Sequence, residues 1–191
     1  MRVLVIPEDF RQDQFLLKPL FNSLFQKRLG LSRSRVRVCQ DPNLGGVGEA
    51  LKAERIQEIV NRYKSMVDIF ILCIDRDGES SRRQALDNIE HKVQVPGACM
   101  FLAEAAWEEI ETWVLAGLNF PTEWRWQEIR KEVHVKEEYF EPLVRVRRLE
   151  ASPGRGRKPL GLEAARRLDR ILQWCPEDFG ALAARLEHAC V

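Results

Sequence analysis

The sequence predicts an α/β fold: a mostly parallel, four-stranded, Rossmann-like sheet flanked by helices, with a small, mainly helical C-terminal appendage. Three observations predict it. Short β-rich apolar runs alternate with longer segments whose apolar residues recur at helical spacing, as in repeated βα units. The most apolar run, VDIFILCI at 67–74, carries a single charge, Asp68, as expected of a strand buried on both faces. The chain has 191 residues and 45% hydrophobic content, enough to bury a core in one domain of moderate size with an appendage.

In chain order, RVLVI at 2–6 is a strand. Residues 12–29 then place Phe15, Leu16, Leu20, Leu24 and Phe25 at helical spacing, with Pro19 in a kink or early turn. RVRVC at 35–39 is β-like again, DPNLGGVG at 41–48 is a turn, and Leu51, Ile56, Ile59, Val60 and Tyr63 form one stripe of a helix over 49–63. The third strand is 67–74, followed by a polar helix over 79–91. A fourth strand is expected over 98–102 and a fourth helix over 104–118. Beyond Phe120 the pattern becomes Trp-rich and charged, then a basic loop, then helices over 162–174 and 179–188. The division is therefore a core at 1–120 and an appendage at 121–191 packed on it, because about 70 residues are few for an independent core.

The formal net charge of +1 gives no global attraction to nucleic acid, so such a partner needs a local basic patch. The five cysteines, Cys39, Cys73, Cys99, Cys175 and Cys190, stand singly without CxxC or zinc spacing, and read as reduced core thiols. No run approaches the roughly 18 apolar residues that span a bilayer, and no signal-peptide pattern opens the chain. A cytoplasmic protein without membrane attachment is expected.

The chemistry sits at the ends of the strands, where open parallel sheets gather ligands. The third strand runs into Asp75-Arg76-Asp77-Gly78. In an extended DxD both carboxylates project to one side and repel unless a cation lies between them, and a hard divalent ion such as Mg²⁺ suits such oxygen ligands. The competing reading is a turn whose Asp caps the next helix. The first strand ends in Pro7-Glu8-Asp9, placing acid at the same end of the sheet. AWEEIETWVLAG at 106–117 puts Glu108 and Glu111 three apart on one helix face with Glu109 beside them, either a third supply of ligands or a solvated acidic face.

Together these stretches resemble a Toprim domain in the version found in OLD-family nucleases: Glu8 after the first strand, Asp75 and Asp77 after the third, and Glu109-Ile110-Glu111 with Trp113 on a later helix. DQFLLKPLF at 13–21 and the tail at 154–179 also resemble small Toprim-like proteins encoded beside ABC-type ATPases. Glu8 is followed by Asp9 and Phe10 where the family usually has glycine, and Asp9 or Asp13 supplies the additional acid some relatives carry. The resemblance implies Mg²⁺- or Mn²⁺-dependent hydrolysis of DNA, with Glu8, Asp75, Asp77, Glu109 and Glu111 as metal ligands. It also implies a partner ATPase and a setting in anti-phage defence. Lys158 resembles a lysine that some of these nucleases set against the charged transition state. Tyr63 and Tyr139 occupy no topoisomerase position.

The loop RVRRLEASPGRGRK sets Arg145, Arg147, Arg148, Arg155, Arg157 and Lys158 against Glu150, a local net charge of +5 that reads either as a phosphate grip or as solvated linker charge. Gly45-Gly46-Val47-Gly48 lacks the Lys-Ser/Thr of a P-loop and reads as a turn before a helix. His91, His134 and His188 make no nucleophile pattern, and the tryptophans read as core or interface anchors. Two function classes follow: a Mg²⁺-dependent nuclease, and a degenerate Toprim-like adaptor that binds nucleotide, nucleic acid or an ATPase without cleavage.

Overall fold

The structure is a computed structural model, and it describes residues 1–190. Four strands, β1 (Arg2–Pro7), β2 (Arg35–Val38), β3 (Ile69–Asp75) and β4 (Met100–Ala106), form one parallel sheet in the order β2-β1-β3-β4. Its strands alternate faces with period two. Val3, Val5, Ile69, Ile71 and Cys73 join one apolar cluster, while Leu4, Ile6, Phe70, Leu72 and Ile74 join a second on the opposite face. Helices cover both: α1 (Phe10–Ser23) and α5 (Ile110–Gly117) the first, α3 (Ala53–Tyr63) and α4 (Arg82–Lys92) the second. A short α2 (Val47–Ala50) precedes α3, so the helix expected over 49–63 is broken at Leu51 and Lys52.

Asp9 caps α1, its side chain accepting from the Arg11 N–H. Pro19 lies inside α1 rather than at a kink, and the chain widens into a π-type turn only at 24–28. Pro19 has no N–H to give the Phe15 carbonyl. That carbonyl is where Gly161 packs, so closely that a methyl group there would lie 2.4 Å from it. A proline in one helix and a glycine in another thus permit one close crossing.

The C-terminal segment is helical: α6 (Trp126–Ile129), α7 (Glu141–Val146), α8 (Arg157–Ala164), α9 (Leu168–Trp174) and α10 (Ala181–Cys190). The expected helix over 162–174 starts earlier, at Arg157, and is interrupted at 165–167. Its apolar residues, from Phe140 and Leu160 to Ile171, Phe179 and Leu186, belong to the same cluster as α1, α5 and one sheet face. The buried Asp178 accepts from the Trp107 N–H, the Trp113 indole and Arg130, tying this segment to the end of β4. None of the described helices is long and apolar enough to cross a membrane.

The fourth strand and helix differ most from expectation. β4 continues to Ala106 because it pairs with β3 as far as Asp75, and that ladder outweighs the helix propensity of Ala103 to Ala106. Its outer edge is closed by side chains: Glu90 accepts from the Ala103 N–H, and Arg83 and Arg185 donate to its carbonyl. Consequently α5 begins only at Ile110, and Glu108 is not on it.

Candidate functional site

Strand order reverses between β1 and β3. The chain leaves β1 over one face through α1 to β2, and returns over the other face through α3 to β3. Such a switch point opens a crevice at the carboxyl ends of the two strands. Glu8 follows β1 there and Asp75 ends β3, so the two acids expected at one end of the sheet are neighbours. Two helices add to them. The first turn of α1 carries Asp13, which is buried, and the first turn of α5 carries Glu111, also buried.

These four carboxyls feel one another. Burial, then Glu111, Glu8 and Asp13, pushes Asp75 well above the usual carboxylate range. Burial, then Glu111, does the same to Asp13, with further contributions from Glu8 and Asp9. Burial and Asp77 raise Glu8 to about 7, against a partial offset from the Asp75 N–H. Glu109, the residue before α5, is raised to about 7 by burial although it accepts from the Lys136 N–H at 2.5 Å. Low dielectric and like charge act in the same direction throughout.

Linkage gives the pH dependence its sign. Below about 4.5 Glu8 is protonated in both folded and unfolded chains, and the advantage of the protonated fold is lost as pH rises toward about 7. Without divalent cation, urea unfolding at about pH 5 should therefore show a more stable protein than at about pH 8, Glu8 alone contributing on the order of 3 kcal/mol. Greater stability at the higher pH would contradict the repulsive cluster.

Asp77 departs from the extended DxD expected. β3 stops at Asp75, and Asp77 takes a left-handed φ of 52°, so its exposed side chain turns toward Arg82, 3.6 Å away, and not beside Asp75. What holds the turn is Glu108. Its carboxylate takes the Gly78 N–H at 2.6 Å and pairs with Arg76, and its carbonyl accepts from the Arg76 and Asp77 N–H groups. Arg76 in turn lies 3.8 Å over the Trp107 ring. Glu108, expected with Glu111 on one helix face as a supply of metal ligands or part of a solvated acidic face, is instead the clamp of the Asp75–Asp77 turn.

The basic loop is also redistributed. Arg157 is buried, and its guanidinium pairs with Glu111 at 2.6 Å inside the acid cluster, which removes it from the solvent-facing phosphate grip. Arg147 is tied to Glu163 and to the Asn119 carbonyl, and Arg145 to Glu141. Arg148, Arg155 and Lys158 are exposed and without an ion-pair partner among the described residues. Arg145, Arg155 and Arg157 line a surface cavity of about 270 Å³. Lys158 lines another, with Gln14, Phe15 and Lys18 of α1. A further cation was not anticipated: burial lowers the Lys136 ammonium, but Glu137 and Glu111 outweigh it and raise it.

Asp13 is a site residue whose signal lies in the sequence, an acid three, four and seven positions before Leu16, Leu17 and Leu20 on the buried stripe of α1. Arg157 has no such local signal. The donor chemistry fits a hard divalent cation: all carboxylate oxygen, with Glu8 Oε2 buried and unpartnered. The gathering does not yet match, since among the described residues no group of three or more His, Cys, Asp or Glu side chains is arranged to hold a metal ion. Each acid is turned to a different partner, Glu111 to Arg157, Asp75 to the Ile110 N–H at 2.8 Å and Asp13 to the Asp9 N–H at 3.2 Å. Comparison with protein-family models, curated proteins and solved structures finds no match to this chain.

Proposed function

We propose that this protein is a Toprim-type, Mg²⁺- or Mn²⁺-dependent phosphodiester hydrolase that nicks or cleaves DNA. The observation that carries the proposal is that Glu8, Asp13, Asp75 and Glu111 come from four elements to the switch-point crevice, where burial and neighbouring carboxylates raise the pKa values of Glu8, Asp13 and Asp75. Those four residues would hold the cation on turning from their present partners, with Glu109 and Asp77 at the margin. A bound Mg²⁺ supplies Lewis acidity and a water of lowered pKa. Glu108 keeps the Asp75 turn in place. Arg157 and Lys136 set positive charge beside the carboxylates, where charge develops on a phosphoryl group. Arg148, Arg155 and Lys158 contact the phosphate backbone. The ABC-type ATPase partner and the role in anti-phage defence rest on the sequence resemblance alone.

A second reading, the adaptor that binds without cutting, is favoured by one observation: Glu111 is already satisfied by Arg157. The two readings separate on supercoiled plasmid incubated with Mg²⁺ or Mn²⁺. The enzyme reading expects nicking that EDTA abolishes and that Glu8→Gln reduces by about a hundredfold or more, the scale of several kcal/mol of lost transition-state stabilisation. Nicking that survives Glu8→Gln unchanged, or no nicking with or without the ATPase, would leave the adaptor.

A further inference from the structure

At the opposite end of the sheet, β2 presents a second cationic feature. Arg35 and Arg37 are two residues apart on an extended strand, so both side chains leave the same face, the one shared with Arg2 and Leu4 across the β1 register. Both line a cavity of about 210 Å³ with Arg2, Val3, Leu4, Tyr63, Met66 and Val67. Arg2 is committed, to Asp68 at 2.6 Å and to the Ser65 carbonyl at 3.0 Å. Neither Arg35 nor Arg37 has an ion-pair partner among the described residues.

Arg2 and Arg35 are directly paired in the ladder, and like charges placed opposite each other on neighbouring strands cost stability. Of the three guanidiniums on this small hollow, Asp68 neutralises one, and Arg35 and Arg37 leave an uncompensated positive field over a floor of Val3, Leu4 and Val67. A planar fork offers paired donors to phosphate oxygens. The α3 C-terminus at Tyr63 carries the negative end of a helix dipole, which Arg2 offsets at the Ser65 carbonyl.

We infer that this cavity is a phosphoanion site, in which Arg35 and Arg37 grip one phosphate or pyrophosphate group while the apolar floor and Tyr63 accept the group that carries it. It is separate from the carboxylate cluster. Arg2 opens β1 and Glu8 follows it, so about 20 Å of extended strand lies between them. Neither reading depends on the other.

The test uses the whole chain in EDTA, so that cation-mediated binding at the carboxylates contributes nothing. Calorimetric titrations with inorganic phosphate, pyrophosphate and AMP should each show salt-sensitive binding. Arg35→Gln with Arg37→Gln should weaken it by about tenfold per guanidinium lost. Lys27→Gln with Lys92→Gln, exposed cations outside both basic regions, should leave phosphate and pyrophosphate binding unchanged. Both positions on β2 are exposed and without an ion-pair partner, and Arg35→Gln removes the like charge opposite Arg2, so the double variant should melt no lower than the wild type. AMP binding tighter than phosphate identifies a nucleotide as the carrier, and equal affinity identifies the free anion. Absence of phosphate and pyrophosphate binding at about ten millimolar, or unchanged affinity in the folded double variant, would overturn the site.

Discussion

Arg157→Ala should destabilise the protein by about 3–5 kcal/mol, the largest effect expected of any single substitution in the site. Both side chains of the Arg157–Glu111 pair are 5% exposed and 2.6 Å apart, so truncation leaves a buried carboxylate among other carboxyls with only the Lys136 ammonium, already paired with Glu137, as a nearby cation. It also removes the guanidinium lying 5.3 Å from the Phe140 ring centroid. Arg157→Lys keeps the charge but not the fork and should cost less. The pair is apportioned by a double-mutant cycle: Glu111→Ala combined with Arg157→Ala should cost clearly less than the sum of the two alone. Urea unfolding is the measurement, and a loss under about 1 kcal/mol for Arg157→Ala would mean that solvent already screens the pair. Mn²⁺ should restore part of the lost stability, because the freed Glu111 becomes available to a cation.

Asp75→Asn should move stability in the opposite direction. At about pH 8 in EDTA the variant should be more stable than wild type by about 1–3 kcal/mol, since the substitution removes one of four mutually repelling acids. An asparagine oxygen also still accepts the Ile110 N–H that Asp75 accepts at 2.8 Å. Yet divalent cation should no longer raise its melting temperature, and on the hydrolase reading plasmid nicking should fall by about a thousandfold. A repulsive cluster that is kept despite its cost to the fold behaves this way. A destabilised Asp75→Asn protein would instead identify Asp75 as a capping residue for the turn and α5, and a cation-induced melting shift equal to that of wild type would remove it from the cation site.

These two residues also mark how far local pattern carries. Asp75 was legible: an uninterrupted apolar run over 69–74 ends in an acid, and in a parallel sheet that end faces the crevice. Glu8 was legible for the same reason at the end of β1. Glu108 was not, because Ala103 to Ala106 favour helix locally, and only their ladder with β3 extends the strand and leaves Glu108 at a φ of 65° in the following loop.

By itself the sequence determined the βα alternation, the parallel sheet with helices on both faces, and the acids at two strand ends, since side-chain period and turn chemistry are local properties of a few neighbouring residues. Tertiary structure alone decided that the order is β2-β1-β3-β4, that Asp77 turns toward Arg82, and that Arg157 lies buried against Glu111. The reason is that these depend on which segments approach one another. Glu111 and Arg157 are 46 residues apart, and nothing in either neighbourhood encodes a charge pair until α8 closes onto α1 and α5.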